Sequence, residues 1–107
     1  MVREKTMLET LPVEFREAYA TLFTSKPDDV MKKIILSELK RRLAEYRLID
    51  KKMCNQYGMS FSDFKKQKMV EKSHHSFQIE EDYCDWELAT DGIVSVTADL
   101  KKLEKYV

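Results

Sequence analysis

Turn formers are nearly absent from this chain, with two glycines and two prolines in 107 residues. An all-β fold needs a reversal every few residues, so that scarcity excludes a sandwich or barrel. It also excludes a glycine-rich phosphate loop, because Gly58 and Gly92 each stand alone. Cysteine is equally sparse. Cys54 and Cys84 form no CxxC, and a secreted disulfide scaffold needs more, so both thiols are expected to be reduced and buried or half-buried. Net charge is zero, which removes any global attraction to nucleic acid or anionic lipid. No run approaches the ~20 apolar residues that span a bilayer. The opening residues lack the apolar core of a signal peptide. The expected location is cytoplasmic.

What remains is 36% charged and 43% hydrophobic, rich in Lys, Glu, Leu and Met. That composition predicts long solvated helices in a single all-α domain over 1–107. Residues 1–11 read as a polar lead-in. Phe15, Tyr19, Leu22 and Phe23 fall at helical spacing after Pro12, which predicts a short helix over 12–23. Pro27 ends the break that follows, and Asp28 is the expected cap of a long helix over 28–57. Its apolar seam is Leu36, Leu39, Leu43, Tyr46, Met53 and Tyr57, interrupted by Asp50 and widened by Ile35 and Ile49. Gly58 is the expected stop. Ser60, with Asp63 three residues on, caps a short helix over 61–71, and residues 73–76 are the loop after it.

The last segment, 79–106, carries a seven-residue repeat of Ile79, Trp86, Ile93, Leu100 and Val107. Ala89, Val96 and Leu103 fill the repeat, and Asp82 is its polar exception. Such a repeat implies a narrow seam packed in coiled-coil fashion. Gly92-Ile93-Val94-Ser95-Val96-Thr97 alone would favour a strand, but the heptads around it favour helix, with Gly92 a weak point of ~1 kcal/mol. The expected architecture is an antiparallel helical hairpin of two long helices with two short ones, assembling as a four-helix-type homodimer.

Charge is segregated along the chain. Residues 26–72 hold 13 basic and 7 acidic side chains, a net of +6, whereas 73–107 hold 8 acidic and 3 basic, a net of −5. The two halves can lie against each other, or one of them can face a partner. The basic face Lys40, Arg41, Arg42, Arg47, Lys51 and Lys52 is also the candidate nucleic-acid surface. His74 and His75, with Glu80, Glu81, Asp82, Cys84 and Asp85 after them, are metal-ligand types at a spacing that fits no known ligand motif. Adjacent loop histidines are usually solvated. Acids in a helix's first turns usually complement its dipole. No catalytic residue, metal site or cofactor is expected.

Two blocks carry a resemblance. Leu39-Lys40-Arg41-Arg42-Leu43-Ala44-Glu45-Tyr46 leads to Gln56-Tyr57-Gly58-Met59-Ser60-Phe61-Ser62-Asp63-Phe64, and Ser76-Phe77-Gln78-Ile79-Glu80-Glu81-Asp82-Tyr83-Cys84-Asp85-Trp86-Glu87 follows. Together they resemble a group of small archaeal and bacterial helical proteins encoded beside toxin-like proteins. The likeness spans about residues 36–107; Cys84 stands where the group usually has an aromatic. It implies an antitoxin-like, non-enzymatic protein that neutralises a toxin-like partner by binding it. Tyr83 and Trp86, with Asp82 and Asp85 beside them, are the expected contact residues, since aromatics among carboxylates suit a basic partner.

Overall fold

The computed structural model describes residues 7–106. Of these, 85% are helical and none lies in a strand. The elements are α1 (Met7–Thr10), α2 (Val13–Leu22), α3 (Pro27–Tyr57), α4 (Phe61–Lys66), α5 (Met69–Lys72) and α6 (Phe77–Leu103), closed by a 3-10 turn at Glu104–Tyr106. No helix among the described residues is long and apolar enough to cross a membrane. The chain divides into two compact units, with the boundary inside α3 between Ile35 and Leu36.

In the first unit, the expected lead-in 1–11 contains the turn α1, while residues 1–6 lie outside the described residues. Pro12 caps α2 rather than entering it, with φ −54° and ψ 150°. Phe23 ends it in extended conformation, its N–H donating to the Tyr19 carbonyl at 2.9 Å. Pro27 takes the first position of α3, where its missing N–H costs nothing. Asp28 is therefore not the cap expected. It joins Asp29 in the first turn, complementing the helix dipole. Val30 is the one buried residue described in this unit.

The second unit holds the main core, built on Met53, Phe61, Phe64 and Trp86. Gly58 ends α3 as expected, at φ +66°, which glycine adopts without steric cost. Ser60 caps α4, its hydroxyl accepting from the Asp63 N–H at 3.1 Å. The single helix expected over 61–71 is broken at Lys68, which stands in left-handed conformation. An unbroken helix would carry Lys68, four residues past Phe64, onto the core face. The break turns the chain so that Met69 and Val70 pack there instead.

The end of α5 is closed by paired bonds, His74 N–H to the Glu71 carbonyl and His75 N–H to the Val70 carbonyl, a Schellman arrangement. It places both histidines at positive φ. Ser76 then caps α6, which begins at Phe77, two residues ahead of the expected start, and its hydroxyl accepts from the Ile79 N–H at 3.3 Å. The β-branched stretch from Gly92 to Thr97 is helical, as its heptad context requires. Contacts between α3 and α6 run in opposite order along the two helices. Tyr57 meets Asp82, Asp50 meets Trp86, and Tyr46 lies over Gly92.

Candidate protein-binding surface

The two seam aspartates explain each other. Asp50 of α3 accepts from the indole N–H of Trp86 on α6 at 2.8 Å, and from the Cys54 thiol at 3.7 Å. Asp82 of α6 accepts from Tyr57 Oη and from Gln56 Nε2 at 3.1 Å, both on α3, and from Gln78 Nε2 at 3.0 Å. Each helix thus lends the other a carboxylate. A slip of one turn would strand both, and a buried polar group without a partner costs ~1–3 kcal/mol. The pairs therefore fix the register that an apolar seam alone leaves loose. Burial and the Asp82 carboxylate push the Tyr57 hydroxyl up to about 12. Burial and then Asp50 raise the Cys54 thiol.

Trp86 is fully buried. The rings of Tyr57, Phe61 and Phe64 surround it at centroid distances of 5.9, 5.2 and 5.2 Å. Its place inside the core removes it from the expected contact set, and Asp82, also buried, leaves with it. Both sit on the heptad seam that the repeat marks, and the seam is the buried side of α6. Tyr83 is half-buried against Phe61 and Phe64. Burial, followed by Glu87, raises its hydroxyl. Beside it lies a groove of about 410 Å³ lined by Phe64, Lys68, Met69, Val70, Tyr83 and Cys84, among others. Asp85 alone of the four is fully exposed.

The basic face stands outside the core, with Lys40, Arg41, Arg42, Arg47, Lys51 and Lys52 all exposed. Two of its members are already engaged. Arg41 holds Glu38 at 2.7 Å and also Glu45, while Arg42 holds Glu38 at 3.0 Å. Hydrogen bonds from both guanidiniums pull the Glu38 carboxyl down to about 2. The expected pairing of basic α3 with acidic α6 is not found. Among the described residues the ion pairs lie within α3, or join His75 to Glu80 at 3.0 Å. Apart from Asp50 and Asp82, the charges of the two helices lie away from the seam. No group of three or more His, Cys, Asp or Glu among the described residues is arranged to hold a metal ion.

Sequence reasoning missed the outer face of α6. Phe77 is 80% exposed and Leu88 64%. Glu81, Cys84, Asp85 and Asp91 are exposed beside them. The signal was present as a second heptad, Phe77–Cys84–Asp91, two residues behind the apolar one, but it pairs an aromatic with polar positions and does not register as a seam. Fold and site together define an all-helical protein with a carboxylate-pinned core and an acidic, partly apolar exterior on its last helix. No protein-family model, curated protein or solved structure matches the chain.

Proposed function

We propose that this chain is a non-enzymatic protein-binding module. In line with the resemblance of residues 36–107, it acts as an antitoxin-like component that sequesters a toxin-like protein by direct contact. One observation carries the reading. Large apolar side chains stay on the surface although the second unit has a filled core: Phe77, Val94, Leu48 and Leu88 are 64–80% exposed. Single exposed apolar residues are ordinary, but such a number on long charged helices suits contact surface. Within this reading α3 and α6 form an antiparallel hairpin, and two copies associate as a four-helix-type homodimer that covers part of the apolar area.

Nucleic-acid binding through α3 ranks second. Arg41 and Arg42 are occupied by Glu38 and Glu45, which lowers the free positive charge of that face. The test is co-expression of the tagged full chain with the product of the neighbouring reading frame. Stable co-elution, with restored growth where that product alone is toxic, is the expected result. Separate elution and no rescue would discard the antitoxin-like reading. Sedimentation at micromolar concentration settles the dimer.

A further inference from the structure

Resting on that protein-binding reading, we infer that the outer face of α6 is the docking surface, and that its occupant is a basic amphipathic helix of another protein. Phe77, Glu81, Cys84, Leu88 and Asp91 follow one another at steps of four, three, four and three. That spacing puts them on one side of a helix, with Asp85 on the flank. All six are exposed. The opposite side of α6 is committed to the core through Asp82, Trp86, Ala89 and Val96. The outer stripe runs about 21 Å at 1.5 Å per residue, close to four turns of a facing helix.

The chemistry of the occupant follows from the charges. Glu81, Asp85 and Asp91 make no ion pair with any described residue. Phe77 and Leu88 supply two apolar anchors about three turns apart. A helix with apolar residues at that interval and Lys or Arg around them satisfies both features. A second copy of this chain is a poorer fit. Its basic helix, α3, spends Arg41 and Arg42 on its own Glu38 and Glu45, which leaves Lys40, Arg47, Lys51 and Lys52 as the cations of that face. A foreign helix with uncommitted cations does not carry that competition. A phospholipid surface is also disfavoured, because anionic headgroups would meet three carboxylates.

The test titrates the full chain against a fluorescein-labelled peptide of leucine and lysine, with leucines on one helical face. A length of about 18 residues covers the stripe. A counterpart with glutamate for lysine is the control. The lysine peptide is expected to bind in the micromolar range, more weakly as salt rises, and the glutamate peptide not at all. Phe77→Ser with Leu88→Ser, and separately Glu81→Lys with Asp85→Lys, should each weaken binding about tenfold or more. Those side chains are exposed, so helix content by circular dichroism should be unchanged. Glu14→Lys with Glu17→Lys on α2 should bind as the parent does. Equal loss from the α2 pair, or none from the α6 pairs, overturns the proposal. The same α6 variants enter the co-expression assay. A natural partner retained by Phe77→Ser with Leu88→Ser overturns the surface while protein binding stands. A parent chain that captures no partner removes the antitoxin-like reading, and the peptide titration still judges the face.

Discussion

The two units of this chain solve burial in opposite ways. In the second, one tryptophan is enclosed by three aromatic rings, its indole N–H donates to Asp50 on the facing helix, and Asp82 accepts from Tyr57 and Gln56 across the same seam. In the first, Val30 is buried, while Phe15 and Leu22 are 64% and 71% exposed. The first unit also encloses a hollow of about 580 Å³ lined by Leu11, Tyr19, Val30, Met31 and Ile34, among others. The Tyr19 hydroxyl is buried and finds no hydrogen-bond partner among the described residues. Apolar periodicity is present in both. What differs is whether a second surface exists to complete it. Phe61, Phe64 and α6 supply that surface in the second unit, whereas α1 and α2 offer only fourteen helical residues between them.

The sharpest way to break this contrast is Trp86→Ala. Removing a fully enclosed indole leaves a cavity and strands the Asp50 carboxylate, so the loss should be ~3–5 kcal/mol. A urea midpoint shifted far downward checks it. A shift no larger than that of a surface substitution would mean that the aromatic cluster is not the centre of stability.

Next in size is Asp82→Ala, which leaves the donors of Tyr57, Gln56 and Gln78 without their acceptor. A loss of ~1–3 kcal/mol is expected. The same contact sets a pH dependence. Tyr57 titrates near 12 when folded and near 10 in an unfolded chain. The folded state therefore favours the protonated phenol. The resulting stability is complete below pH 10 and is lost as pH rises toward 12. Absorbance at alkaline pH should show late-titrating tyrosine from Tyr57 and Tyr83, and Tyr57→Phe should remove the Tyr57 share of it. All tyrosines titrating together near pH 10 would contradict the buried contact.

A smaller effect is expected at Gly92. A Cβ built there would lie 2.5 Å from Tyr46 Cε2, so the glycine is where the Tyr46 ring crosses α6. Alanine gains ~1 kcal/mol of helix propensity but must displace the ring at ~1–3 kcal/mol. Net destabilisation of ~1 kcal/mol is expected. A stabilised Gly92→Ala would show that Tyr46 moves aside freely and that the glycine is only a weak point in the helix.

Much of the second unit was legible in the sequence because its signals are local and redundant. Ser60 and Gly58 mark their helix boundaries by capping chemistry, and the heptad from Ile79 outweighs the β-branched run after Gly92. Even the two seam aspartates, Asp82 buried and Asp50 half-buried, showed as interruptions of the seams. Their partners did not, because hydrogen bonds between residues 25 to 36 positions apart depend on register, which periodicity does not encode. The burial of two of the four expected contact residues was hidden for a related reason. Trp86 and Asp82 belong to an acidic aromatic string, and composition alone does not say which members turn inward. The break at Lys68 was hidden too, since it follows from where Met69 and Val70 find packing rather than from a breaker residue.

The smallest effect is the one that tests the comparison itself. Leu22 and Phe15 lie on α2, which buries no residue. If their exposure holds in solution, Leu22→Ser and Phe15→Ser should each change stability by no more than about 0.5 kcal/mol, as surface substitutions do. Hydrogen exchange should agree, with amides of α2 exchanging well before those around Met53 and Trp86. A loss of ~2 kcal/mol at Leu22 would match burial of a leucine side chain, and would mean that the first unit is covered in solution. Concentration then separates the two sources of cover. A loss that grows as protein is diluted points to a second copy, because association stabilises by mass action. A loss independent of concentration points to cover from within the same chain, and the contrast between the two units would then be one of sequence of assembly rather than of finished packing.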